Sequence, residues 1–511
     1  VSDFISEAEY VILCEGCDSL LLAEDSSLER VAIPWLHIIR EHPMFLKKYV
    51  NLFNSNATSK SWREKVPYFV SSLAKFIKYF HSKGSYYHSS IDQTRKLDIL
   101  FVSHLLNRSD AGKPNDSYFG DIPNRLSELG FKVGIVMLNH SDLKAKAAAE
   151  RWKNSITPRF IFSPILPFKQ EVILLFRLMK ESKKLKEKAS NLRDGFLKEL
   201  TKNAAKQATS SLTQNTYRLV PQIAKLLVDF NPETIVTTFE GHAWERIVYS
   251  EARRLNNNIL CVGYQHAAIF KLQHAIRRNL SPEYNPDFIL AAGQLGKVQL
   301  ATSNEYKKMQ INVLGSDRGN MDINRQDYIF NAPDISKMCC LVLPEGDFEE
   351  CKKLFEFSLD CAISFPKIRF IWRLHPILTF KQIFRKYPHL SDFPLNITLS
   401  NGTSLIEDIN QACMVLYRGT TSVIQSIKGG LIPLYLIIPD EMIIDPLYEI
   451  SQGKVILKRL EDFKYFVENI SDFVKENQDE RICLLKYCET FYTNFDVDLL
   501  VNIIQNKPNQ S

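Results

Sequence analysis

Two short stretches in the C-terminal half carry residue types that bind phosphate. In Trp372-Arg373-Leu374-His375-Pro376 an apolar run ends in a histidine, and the proline after it cannot continue a central strand. The imidazole is therefore expected at a sheet edge. In Tyr417-Arg418-Gly419-Thr420-Thr421-Ser422 a second apolar run ends in hydroxyls just before the helical pattern VIQSIKGG. Hydroxyls and free backbone N–H groups at a helix start favour an anion. Arg373, His375, Pro376, Thr420, Thr421 and Ser422 are thus candidates to hold a nucleotide phosphate. Glu345 and Gly346 close a third apolar run, LVLPEG, of the same series, where a solvated loop carboxylate is the competing reading. In the N-terminal half, ETIVTTFE places Glu240 at a strand end, with Trp244-Glu245 one turn into a helix, and ILCVGYQH ends the next run on His266. Such groups at neighbouring strand ends suit general-base work on a hydroxyl nucleophile. Glu240 is the first candidate, and His266 and Glu245 are the alternatives.

The elements that must position these residues follow from the alternation of short apolar, β-branched runs with amphipathic stretches, the pattern of βαβ units around parallel sheets. One series holds KLDILFVSHLL, the helix DIPNRLSELG, FKVGIVMLNH, ETIVTTFE, ILCVGYQH and DFILAAG. A second holds CCLVLPEG, IRFIWRLHP, ITLSN, CMVLYRG, LIPLYLI and KVILK. The polar stretch Ser316 to Lys337 between them predicts a linker. The expected fold class is α/β, with two doubly wound, Rossmann-like domains facing across a cleft. Its expected divisions are an N-terminal extension over 1–92, an acceptor domain over 93–325, a nucleotide-sugar donor domain over 326–480 and a helical tail over 481–511. Within the extension, EYVILCEG reads as a strand, Trp35 to Glu41 as a helix and Trp62 to His81 as an amphipathic stretch. Ligands of such sheets sit beyond the carboxyl ends of the strands, where all the candidates above fall.

Composition narrows the classes further. A chain of 511 residues with 45% hydrophobic and 24% charged residues must build more than one core, and it is neither disordered nor fibrous. No apolar run reaches the roughly 18 residues of a membrane span. The acidic start VSDFISEAEY has no basic or apolar leader pattern, so a cytoplasmic protein is expected. Ten cysteines over this length form no small disulfide framework, and Cys14-Glu15-Gly16-Cys17 lacks the second pair of a zinc ribbon. Asp496-Val497-Asp498 reads as the polar face of an amphipathic helix, so no metal and no other cofactor is expected. The net charge of +6 comes with a Lys-rich stretch at Lys180 to Lys206, which reads as a solvated helix face or as a surface for anionic lipid. No basic patch is interleaved with aromatics, which argues against nucleic acid.

The pair of motifs around His375-Pro376 and Thr421-Ser422 resembles the His-Pro and Ser/Thr-Ser motifs of GT-B transferases that use CMP-sialic acid, CMP-Kdo and related CMP-nonulosonates. Polymerases that transfer glycerol phosphate from CDP-glycerol carry similar motifs. The resemblance implies that His375, Thr421 and Ser422 hold the cytidine nucleotide's phosphate. The Glu240-Gly241 step resembles the acidic-acidic-Gly motif that bears the catalytic base in bacterial sialyltransferases, with Phe239 in place of the first acid. The segments IPWLHIIREHP and YFGDIP, with Glu240 and His266, resemble bacterial surface-carbohydrate biosynthesis proteins of the O-antigen, capsule and lipopolysaccharide kind. The implied partners are a CMP-sugar and a glycan or lipid-linked glycan, with peripheral contact at the inner face of the cytoplasmic membrane. Transfer of a polyol phosphate from a CDP-alcohol, and a nucleotide-sugar-binding protein without activity, are the two competing functions.

Overall fold

The computed structural model describes residues 4–53, 84–88, 96–153, 155–303, 306–307, 309–320, 337–402 and 404–506. The first sheet is built from β1 (Tyr86–His88), β2 (Ile99–Leu105), β3 (Val133–Asn139), β4 (Arg159–Phe162), β5 (Thr234–Thr238), β6 (Leu260–Gln265), β7 (Phe288–Ala291) and β8 (Gln310–Val313). Their spatial order is β1-β4-β3-β2-β5-β6-β7-β8, and every pairing is parallel except that of β1 with β4. The second sheet contains β9 (Cys339–Leu343), β10 (Arg369–Trp372), β11 (Ile397–Leu399), β12 (Met414–Tyr417), β13 (Ile432–Leu436) and β14 (Val455–Leu457). It is wholly parallel, in the order β11-β10-β9-β12-β13-β14. In the second sheet the chain starts in the middle, winds to one side, then returns and winds to the other, and the first sheet does the same from β2 onward, with β1 laid antiparallel on the edge beside β4. The order reverses between β2 and β5 in the first sheet and between β9 and β12 in the second. These are the points at which doubly wound sheets open a crevice. The architecture is the expected pair of Rossmann-like sheets, the GT-B arrangement.

The strand sequences explain why both faces are covered. Along β2, Ile99 and Phe101 enter one apolar cluster while Leu100 and Val102 enter another, so a near-continuous hydrophobic run is buried on both sides. In β9, Cys339, Leu341 and Leu343 join the same first cluster, and Cys340 and Val342 face the other way. That shared cluster is completed by the C-terminal segment. The helix Gln478–Glu489 packs on the helix Ser422–Lys428 of the second sheet. The chain then crosses to the first sheet, where Thr493 N donates to Ala292 O at 3.1 Å and Asp496 N to Leu314 O at 2.7 Å. Asp496 caps the final helix, Val497–Gln505, by accepting from Leu499 N at 3.0 Å, and that helix lies against Ile122–Glu128.

The N-terminal residues differ from expectation in two places. EYVILCEG lies in the helix Glu7–Leu21, closed at its start by a Ser6/Glu9 capping box. Tyr10, Leu13, Cys14, Cys17 and Leu20 recur at helical spacing and are buried, whereas Val11 and Ile12 are exposed. Trp35 to Glu41 forms only a single 3-10 turn, Pro34–Leu36, before extended backbone. Tertiary partners override the helical pattern there: His37 is clasped between Val31 O and Arg278, each at 2.7 Å. The stretch Trp62 to His81 and most of the expected linker lie outside the described residues. The Lys-rich stretch spans two helices, Phe168–Ser190 and Phe196–Gln207, and the N-terminal helix packs on the second of them.

Candidate functional site

The chain leaves β5 through Phe239-Glu240-Gly241-His242. Gly241 has φ +85, and a Cβ there would stand 2.1 Å from Ala275 O, so only glycine lets the turn pass this close to neighbouring backbone. The turn is held from inside by Glu245, a fully buried residue. Its carboxylate accepts from the N–H groups of Glu240 at 3.0 Å, Gly241 at 2.8 Å and His242 at 2.8 Å. Burial pushes the Glu245 carboxyl up to about 7 despite these donors and His242. Glu245 thus shapes the turn, and its oxygens are already engaged. Phe239 fills an apolar slot against Gly263 with the Arg246 guanidinium over its ring at 5.0 Å. An acid in that slot would be desolvated.

Glu240 itself reaches the crevice with a side chain 26% exposed and lies 3.4 Å from His242 Nε2. Burial works against its charge, but His242, His266 and Arg40 together hold the carboxyl down at about 2. His242 is correspondingly raised, because Glu240 and Glu245 outweigh its burial. His266, at the end of β6, is pushed down to about 4 by burial, against the pull of Glu240. Glu240 and His266 are therefore neighbours in charge as well as in strand order.

Three further side chains belong to this cluster. His104, from β2, lies 2.9 Å from His140 Nε2 through Nδ1 and 3.0 Å from Thr238 Oγ1 through Nε2. Burial and the surrounding imidazoles keep His104 well below its ordinary range. Tyr118 stands edge-on to both His266 and His104, at 4.6 Å and 5.2 Å between ring centroids. It is aimed by Asp116, which accepts from Tyr118 N at 2.8 Å and Ser103 Oγ at 2.8 Å. His104 and His140 went unread in the sequence because His104 sits inside an otherwise ordinary apolar run and His140 just after one. The sign was that FKVGIVMLNH, like ILCVGYQH, ends on histidine.

On the second sheet, a cavity of about 560 Å³ opens beyond β10 and β11. His375, Pro376 and Arg373 line it together with Asn107, Arg108 and Ser109 from the exit of β2, so the two sheets contribute opposite walls. Burial lowers His375, with Glu345 acting against it and Arg318 with it. The imidazole is neutral near pH 7. Arg373 is committed to structure: Nη1 meets Asp408 at 2.6 Å and Ser404 O at 3.0 Å. Thr420 Oγ1 accepts from Ser422 N at 3.4 Å, and the hydroxyls of Thr421 and Ser422 have no protein partner among the described residues. Gly346 lies beneath His375, where a Cβ would come within 3.1 Å of Nδ1.

Glu345 is not a solvated loop carboxylate. Arg40 Nη2 lies 2.5 Å from it, and His42 Nε2 forms a second, short ion pair. Against its burial, these two cations hold the carboxyl at about 2. Gly419 makes room for it, since a Cβ there would fall 2.8 Å from the carboxylate. Arg40 and His42 come from the IREHP segment, so the N-terminal extension reaches across to the second sheet. Arg318, exposed and held by Tyr492 Oη at 3.1 Å, adds a cation with no carboxylate partner among the described residues. Its charge bears on both His266 and His375. The described residues include no three metal-ligating side chains that converge.

No family model matches the chain, and no curated protein matches its sequence. Among solved structures, the UDP-GlcNAc 2-epimerase of Neisseria meningitidis bound to UDP-GlcNAc matches with TM-score 0.43 and 12% identity, over 80% of this chain and 100% of that one. MurG of Acinetobacter baumannii matches with TM-score 0.45 and 11% identity, over 80% and 99%. The UDP-GlcNAc 2-epimerase of Methanocaldococcus jannaschii gives 0.39 and 12%, over 80% and 99%. These are distant likenesses of overall shape.

Proposed function

We propose that the chain is a glycosyltransferase that moves a Kdo- or nonulosonate-type sugar from a CMP-sugar to a surface polysaccharide or lipopolysaccharide precursor. The observation that supports this reading is that two unlike strand-end sets lie within the field of the same cations, Arg40 acting on Glu240 and Glu345 and Arg318 on His266 and His375. A carboxylate among imidazoles closes β5 and β6, while a neutral imidazole and unpartnered hydroxyls close β10 and β12. In the reaction, the acceptor oxygen bonds to the anomeric carbon, the bond from that carbon to the phosphate oxygen breaks, and CMP leaves. The acceptor's proton goes to Glu240, with His266 as the alternative base. Charge developing on the departing phosphate is met by the His375 N–H and the Thr421 and Ser422 hydroxyls. None of these roles calls on a metal.

Peripheral membrane association accompanies this reading. The helix Phe168–Ser190 exposes Val172, Ile173, Phe176 and Met179 along one side, next to its lysines. Apolar side chains with adjacent Lys suit the surface of an anionic bilayer. The proposal is tested with CMP, CDP, UDP and GDP in a thermal-shift panel. A nucleotide at a hundred times its Kd stabilises the folded state by about 2.7 kcal/mol. CMP is expected to give the largest shift; a larger one from UDP or GDP would remove the cytidine part. Mass spectrometry of the product separates the competing reaction, since only polyol-phosphate transfer leaves a phosphodiester. Binding of CMP without turnover or hydrolysis of any CMP-sugar would favour an inactive binding protein.

A further inference from the structure

A second cavity, of about 490 Å³, opens on the first sheet at the ends of β3 and β4, within the roughly 300–1,000 Å³ that ligand sites occupy. Its walls include Trp244, His140, Leu138, Leu212, Arg218 and Gln222. Its charge balance differs from that of the cavity beside His375. The Arg218 guanidinium is neutralised by Glu171, with contacts of 2.6 Å and 3.1 Å. His140 reaches solvent at the cavity mouth, and partial desolvation of its ring together with the nearby His242 keeps it below its ordinary range, hence uncharged near pH 7. Among the described residues that line it, an anion finds no free cation. What the walls do offer is an aromatic surface, whose indole N–H has no acceptor among the described residues, beside polar groups and aliphatic side chains. That combination suits a neutral ring bearing hydroxyls, with an apolar face for the indole and an equatorial rim for hydrogen bonds. The His140 ring is oriented for this from behind, since its Nε2 meets His104 Nδ1 at 2.9 Å and His104 Nε2 meets Thr238 Oγ1 at 3.0 Å. Trp244 is fixed by the same imidazole, edge-on to His104 at 5.1 Å.

We infer that this cavity binds a neutral saccharide unit, with Trp244 as its stacking wall and His140 as a hydrogen-bonding contact. The assignment deepens the transferase reading by making that unit part of the acceptor, but the binding claim stands on the cavity alone. The test uses saturation-transfer NMR on the full chain with neutral hexoses, N-acetylhexosamines and their disaccharides, and with glucuronic acid and inorganic phosphate as charged controls. The wild type is expected to bind at least one neutral sugar and neither control at this place. Trp244→Leu and the exposed His140→Gln should each weaken that binding tenfold or more while leaving the CMP thermal shift unchanged. His140→Gln guards against the chance that Trp244→Leu disturbs folding. No neutral-sugar signal from the wild type, or equal binding by both variants, overturns the inference. A wild type that binds the sugar but no nucleotide would count against the transferase reading alone.

Discussion

Replacing Glu240 by glutamine separates chemistry from folding and from donor binding. The substitution keeps size and hydrogen-bonding shape and removes one charge. Its cost to stability follows from the geometry. The only ion pair lost among the described residues is to His242 at 3.4 Å, with side chains 26% and 37% exposed, and pairs so open to water contribute about 1 kcal/mol or less. The turn itself is held by Glu245 through backbone N–H groups that Glu240→Gln leaves in place. The melting temperature should therefore barely move. Nucleotide affinity should also hold, because the donor residues belong to the second sheet. If the carboxylate accepts the acceptor's proton, its loss should slow transfer by about 100- to 10,000-fold, or roughly 3–5 kcal/mol of barrier. The assay is transfer from a CMP-sugar under saturating donor, run beside a CMP titration on the same preparation. Activity within threefold of wild type would refute the assignment and move attention to His266, and equal losses in CMP affinity and rate would refute the separation of roles. The low pKa of about 2 adds a condition: Glu240 is ionised across the working range, so its titration should leave no limb in the rate profile between pH 5 and 8.

His375→Ala should weaken CMP binding and reduce transfer by about a hundredfold, read by calorimetry and initial rates, since one phosphate contact serves both states. Gly241→Ala should destabilise by about 2 kcal/mol or more in urea melts, because φ +85 and the approach of Ala275 O both exclude a methyl group. His266 stays neutral down to about 4 in the folded protein but takes a proton near its ordinary value when unfolded. Stability should therefore fall as pH drops through that interval, by up to about 3 kcal/mol from this residue, and His266→Asn should flatten the denaturation profile there. Phe176→Asp should release the protein from anionic liposomes at low salt while leaving its melting temperature unchanged; retained sedimentation would refute the proposed membrane face.

Much of the scaffold was legible because parallel strands buried on both faces must be written as continuous apolar runs. KLDILFVSHLL, CCLVLPEG and CMVLYRG could hardly be anything else, and placing the candidates at their ends followed from βαβ winding. Three short strands escaped: β1, β4 and β8 hold three or four residues each. EYVILCEG misled because a short apolar run fits a strand or a helix, and only the neighbours it packs against decide.

Which side chains share a crevice was settled by the tertiary structure alone. Residue types and spacing marked Glu240, Glu245, His266, Glu345 and His375, but they could not assign work among them, since each role depends on partners distant in the chain. Glu245 is spent on three backbone N–H groups and Glu345 on Arg40 and His42, about 300 residues away in sequence. Glu240 keeps a part-exposed ion pair with His242 beside His266, and His104 and His140 join them through sheet order. The apolar pattern along the chain determined the strands and where each one ends. Long-range ion pairs and burial, which no local pattern records, decided which of the strand-end groups remain free to act.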